Sequence, residues 1–173
     1  TMDEGAAFGI NDRVDLAQAE CVMRQRILEK LMKAGVTIID PATTYIDADV
    51  TIGRDSVIHP CTVIHHDVKI GAHCSIGPFA RIRPGCRIAA HSEIGNFTEI
   101  SRSSIGRHVV MKHFSFLGDA RVGDGVNIGA GSVTANYDGK NKSKTVIGKQ
   151  AFIGSDAILI APRMPSSRSS SSI

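Results

Sequence analysis

Tryptophan is missing from this 173-residue chain, and aromatic residues of all kinds supply only 5% of it. An interior with so few rings has to be built from aliphatic side chains. No run of about 18 apolar residues occurs, so no segment reads as a membrane-spanning helix. The start carries no signal-peptide pattern. Net charge is only +3 and no block of five or more basic residues is present, which argues against nucleic acid as a partner and leaves small anionic molecules open. The four cysteines contain no CxxC pair, so they read neither as a disulfide framework nor as a zinc motif. A soluble, cytoplasmic protein with reduced thiols is expected.

What is present is a strict repeat. Isoleucine occupies Ile46, Ile52, Ile58, Ile64, Ile70, Ile76, Ile82, Ile88, Ile94 and Ile100, always six apart. Neither a 3.6-residue helix nor an isolated period-2 strand produces that spacing, whereas short strands winding round an aliphatic core do. The expected fold is an all-β solenoid, a parallel β-helix of hexapeptide repeats. Three hexads make one triangular turn, so residues 18 apart stack. Two residues before each isoleucine stand small side chains such as Val50, Ser56, Thr62, Val68, Cys74, Ala80, Cys86, Ser92 and Thr98, which read as core filling. The frame slips by one to Ile105, Met111 and Leu117, and again to Val122, Ile128 and Thr134. The polar stretch 135–144 (ANYDGKNKSK) is then out of register and should bulge as a loop before Ile147, Ile153 and Leu159 resume the pattern.

Ahead of the repeats, Leu16, Ala19, Met23, Ile27, Leu28 and Leu31 recur at helical steps. They predict one long α-helix over 13–33, capped by Asp12 or Asp15 and stopped by Gly35, with its apolar side as a packing surface. The solenoid is expected over 39–162, the helix and a linker over 13–38, and a serine-rich, non-repetitive tail over 163–173.

The segments that break the pattern are the informative ones. IGPFARIRPG (76–85), IGNFTEI (94–100), HFSFLGDARVGDGVNIGAGS (113–132) and ANYDGKNKSKTVIG (135–148) closely resemble the acetyltransferase half of the bacterial bifunctional N-acetylglucosamine-1-phosphate uridylyltransferase / glucosamine-1-phosphate acetyltransferases. The similarity runs from about residue 9 to 162. It implies a left-handed coil, a homotrimer with active sites between subunits, and acetyl transfer from acetyl-CoA to the 2-amino group of glucosamine-1-phosphate, an amino-sugar phosphate. That step lies on the route to UDP-N-acetylglucosamine and the cell wall. Residues 1–12 then resemble the end of an upstream uridylyltransferase domain or an N-terminal arm, and the chain a fragment or relic of the two-domain enzyme.

By the same resemblance His113 is the general base, a role imidazole suits because an amine must lose its proton to attack a thioester. Arg83 would hold the sugar phosphate, as a fixed guanidinium can. Glu99, Asn127, Asn136 and Tyr137 match sugar-contacting positions, and Lys142 matches a lysine that reaches a neighbouring subunit's site. Ala130 and Ser155 match the lining of the acetyl-CoA site. Asn11 matches an asparagine that helps hold Mg²⁺, relevant only within a longer parent enzyme.

Three departures stand out. Ser101 replaces a phosphate-binding lysine and Phe116 a tyrosine, each at a cost of roughly 1.5–3 kcal/mol in contacts to a charged group. Arg102, next to Ser101, or Lys112, in place of a glycine, is expected to restore the lost charge. The repeats also stop near Pro162, short of the further turns that complete the family's acetyl-CoA site. Two other readings remain: a degenerate trimeric scaffold without turnover, and a γ-carbonic-anhydrase-like metal site using His73, His108 and His113.

Overall fold

Asp12 opens the first regular element. In the computed structural model, which describes residues 9–161, its carboxylate accepts hydrogen bonds from the amides of Val14 (2.8 Å) and Asp15 (2.9 Å). It thereby satisfies two of the donors that a helix start leaves unpaired. Helix α1 runs over Arg13–Lys33 and ends ahead of Gly35, whose φ of +96° turns the chain back towards the solenoid. Its apolar side is only partly used: Leu28 and Leu31 are buried, but Val14, Leu16 and Met23 stay exposed. The expected packing surface is therefore confined to the last turns of the helix. Arg24, midway along, lies over the Tyr45 ring at 4.3 Å, a cation–π contact that ties the helix to an early turn.

The repeats wind into three parallel sheets of seven, seven and six strands. The first face runs from Thr37–Ile38 to Phe152–Ile153, the second from Tyr45–Ile46 to Ile158–Ile160, and the third from Thr51–Ile52 to Thr145–Ile147. Most strands are two residues long, one side chain outward and the next, almost always aliphatic, inward and buried. All of this agrees with the expected β-helix preceded by one helix. Coiling begins slightly earlier than expected: Ile38 is buried whereas Ile39 is 54% exposed, because the first pairing, Ile38 with Ile58, spans a longer turn. The later slips are absorbed without breaking the columns. Ile70 pairs with Ile88, Ile88 with Ile105, and Val122 with Ile147, the last with the 135–144 loop extruded between the paired strands.

The small inward residues behave as expected. Ser56 donates to the Gly71 carbonyl (2.9 Å) and accepts from the Cys74 amide (3.0 Å), so a buried hydroxyl is satisfied. Cys74 and Cys86 are buried, and that burial pushes both thiols above their ordinary value and keeps them protonated. The corners carry left-handed residues; His73, His91 and His108 share one corner, with ring centroids 4.9 and 4.8 Å apart.

Truncation of a central rung, Ile94→Ala, is expected to cost about 2–5 kcal/mol in urea unfolding. Thr62→Val is expected to be neutral or stabilising in the same measurement, since the buried Thr62 hydroxyl has no hydrogen-bond partner.

Candidate active site

His113 sits at the corner between the first and second faces, exposed, just after the strand Val110–Met111. The following rungs of that corner present Ala130 and then Ser155. The rungs are stitched by hydrogen bonds from the Gly131 amide to the Phe114 carbonyl (2.7 Å) and from the Asp156 amide to the Ala130 carbonyl (2.7 Å). A side chain at Gly129 would meet the Gly154 carbonyl carbon at 2.6 Å, so close backbone stacking requires glycine there. The result is a shelf of small residues on the rungs that follow His113 in the same corner column. On the other side of His113 the same edge exposes Phe79, Phe97 and Phe114, the first two stacked at 5.0 Å.

Arg83 follows the second-face strand Arg81–Ile82, and its guanidinium donates to the Glu99 carboxylate on the next turn at 2.9 Å. Glu99 is itself in register with Phe116, so the arginine, the carboxylate and the phenyl ring share one face. Ser101 is buried, and its hydroxyl accepts from the Arg102 guanidinium at 3.0 Å. Of the two cations expected to compensate for Ser101, only Arg102 lies beside it. Lys112 points along the first face, where it pairs with Glu93 at 3.2 Å.

The corner between the second and third faces is organised by Asp119. Arg102 forks onto its carboxylate through two 2.7 Å bonds, and the Asn136 side-chain amide donates to it at 2.6 Å. The Arg102 bond is the chief reason the Asp119 carboxyl is held below its ordinary value; Asn136 and the charge of Lys142 add to it against partial desolvation. The Thr145 amide donates to the Asp119 carbonyl (3.2 Å), so one residue fastens both ends of the 135–144 loop. Within that loop the Asp138 carboxylate caps the amides of Lys140 and Asn141. Tyr137 bridges to Lys142 and donates its hydroxyl to the Gly139 carbonyl at 2.8 Å, leaving the ring 61% exposed.

The single chain therefore gathers the expected residues into separate groups. Arg83 and Glu99 meet on the second face; Asn136, Tyr137 and Lys142 cluster at its far corner; His113, Ala130 and Ser155 occupy its near corner; Asn127 faces outward on the first face. The strand Ser115–Gly118 separates His113 from Asp119, roughly 20 Å of chain at extended rise. Asp119 itself was not singled out by the sequence, although it lies within the FLGDA segment. Asn11 donates its backbone and side-chain amides to Asp15 at 3.0 and 3.3 Å. Among the described residues no group of three His, Cys, Asp or Glu side chains is placed to hold a metal. The carbonic-anhydrase-like arrangement is not formed within this chain: His73 and His108 stack with His91 on one corner, and His113 stands on another.

The repeat matches the family model for the bacterial transferase hexapeptide (six repeats) over residues 67–102. That match covers a segment of the solenoid whose six-residue spacing the rest of the coil shares. More particularly, most of the chain is similar to part of the proteins named bifunctional protein GlmU. It is 48% identical to the one from Geobacillus sp. (strain WCH70) and 46% identical to the one from Shouchella clausii (strain KSM-K16), in each case over 90% of this chain and 41% of the relative. The chain thus spans about two fifths of the length of the curated relatives it matches. Both alignments extend over 188 positions, whereas 90% of 173 residues is only about 156, so roughly 32 positions of the relatives have no counterpart within the matched stretch. At 18 residues a turn, that is close to two turns. Among solved structures, the acetyltransferase domain of PglB from Neisseria gonorrhoeae in complex with acetyl coenzyme A aligns with 84% of this chain and 62% of that one. Its 15% identity and TM-score of 0.47 are too low to support inference at the level of residues. No helix among the described residues is long and apolar enough to cross a membrane.

Because the Asp119 carboxyl binds its proton less readily when folded than when unfolded, its stabilising contribution is fully present above about pH 4 and is lost as pH falls through the depressed value. Asp119→Asn is expected to lower stability at neutral pH and to flatten this part of the acid-unfolding curve, as read from unfolding midpoints across about pH 2.5–6.

Proposed function

We propose that the chain transfers the acetyl group of acetyl-CoA to the 2-amino group of glucosamine-1-phosphate, in the cytoplasm and on the route to UDP-N-acetylglucosamine. The reading rests chiefly on one observation: His113 heads a corner column whose next two rungs are the small-residue shelf of Ala130 and Ser155. A narrow acyl-carrying arm can lie along such a shelf with its reactive carbon near the base. Acetyl-CoA, when bound, supplies an activated thioester. The chain's residues do the rest: His113 takes the proton released as the amine nitrogen forms the new C–N bond and the C–S bond breaks, and returns it to the departing sulfur. Arg83, steadied by Glu99 at 2.9 Å, offers a preoriented guanidinium to the sugar phosphate. Asn127 and the Asn136–Tyr137 pair would fix the sugar, and Lys142 would reach across from a neighbour.

A homotrimer is part of this proposal. Its support is the scatter of the candidate residues over two corners and two faces of one protomer, which neighbouring edges would have to bring together. Mg²⁺ belongs to it only if a uridylyltransferase domain precedes this segment in a longer parent. Ser101 and Phe116 favour a second reading, a trimeric scaffold that has lost turnover.

A thiol-release assay separates the two. Under the enzymatic reading, wild type turns over and His113→Ala loses about 10²–10⁴-fold in rate while keeping its unfolding midpoint and oligomeric state. Under the scaffold reading, wild type and variant are equally silent. With Ser101 and Phe116 in place, preference for glucosamine-1-phosphate over glucosamine is expected to depend on Arg83, so Arg83→Ala should raise KM for the phosphorylated acceptor more than for the plain sugar.

A further inference from the structure

The third face carries a second collection of cations, separate from His113 and Arg83. Its outward column runs Lys69, Arg87, Ser104, Arg121 and Val146, one residue per turn. Successive turns lie about 4.8 Å apart, so Arg87 and Arg121 flank Ser104 across roughly 10 Å. The short serine between two long side chains leaves a notch. Arg102 and Lys144, on the corner that leads into this face with Asp119 on the rung between them, close it on that side. The cavity measures about 360 Å³, and its lining holds four cations, Arg87, Arg102, Arg121 and Lys144, against a single carboxylate, Asp119.

Two of these cations are already held in place. Arg87 donates to the Asp67 carboxylate (2.5 Å) and carbonyl (2.6 Å), and Arg102 forks onto Asp119. Guanidiniums fixed in this way lose less rotamer freedom when they bind a ligand. Arg121 and Lys144 are exposed, and among the described residues neither has a carboxylate within ion-pair distance. Counting Asp67 with Asp119, the notch keeps two positive charges in excess. We propose that this notch is a binding site for a small phosphorylated ligand, a phosphomonoester or diphosphate group.

The chemistry fits that class. A phosphoryl group carries about −1.5 to −2 charges and three acceptor oxygens, which matches the excess charge and the converging N–H donors. Single-stranded nucleic acid is disfavoured: the outward column holds no aromatic side chain on which a base could stack, and the cations converge on one notch instead of tracking along the face.

The test is calorimetric titration of the full chain with inorganic pyrophosphate. Wild type is expected to saturate, and the double variant Arg121→Glu/Lys144→Glu, altered at exposed positions, to weaken binding by at least about tenfold, the scale of one charge-assisted contact. Any separate step from the proposed acceptor site should be lost in Arg83→Ala, while the notch step persists in that variant at its wild-type affinity. Lys69→Glu, one turn beyond the notch on the same face, should change affinity by less than about threefold. Absence of saturation in wild type overturns the proposal. So does unchanged binding in the double variant with its unfolding midpoint retained, loss of binding in Arg83→Ala, or an equal loss in Lys69→Glu, which would mean diffuse attraction.

Discussion

Everything in this molecule hangs on the vertical stacking of one buried aliphatic side chain upon another. Each turn places its inward isoleucine, valine, methionine or leucine on the one beneath it, and the backbone amides of that turn pair with the carbonyls of the next. No turn could bury its own apolar face alone. Outward positions are thereby freed from filling the core, and they are where charge, hydroxyl and ring appear. The separation is strict enough that the chemistry can vary without touching the core.

Electrostatics then does the local arranging. Arg83–Glu99, Arg87–Asp67 and Arg102–Asp119 are all pairs formed between successive turns of the coil. The more exposed of these, Arg83–Glu99 and Arg87–Asp67, add little to stability on their own. Their value lies in direction: each holds a flexible side chain in one pose along a chosen edge. Asp119 does most, since it receives an arginine from the preceding turn and an asparagine from the loop while its carbonyl secures the strand that follows.

The regular part of the fold was open to inspection in the sequence. The isoleucine spacing gave the coil, and Asp12 with Gly35 gave the helix limits. Reading stopped where spacing became ambiguous: Ile38 and Ile39 are equally apolar, and only the longer first turn makes Ile38 the inward one. The amphipathic stripe of the helix suggested contact along its whole length, but the end of the solenoid is too narrow to cover more than Leu28, Leu31 and their neighbours. At the site, His113 and the loop residues came from motif likeness, while the Arg83–Glu99 pair could not, because it depends on which outward positions of adjacent turns face each other. The role of Asp119 was hidden for the same reason. Lys112 shows the converse error, a residue beside His113 in sequence that leans along a different face to meet Glu93.

The shortfall of roughly 32 positions against the GlmU relatives acquires meaning from this geometry. Removing whole windings from a prism leaves every remaining edge at its original azimuth, so a catalytic edge and a loop edge keep their mutual bearing however many storeys lie below them. Length along the axis and orientation around it are inherited independently. Such a chain can be shortened like a telescoping ruler while its working edges stay aligned.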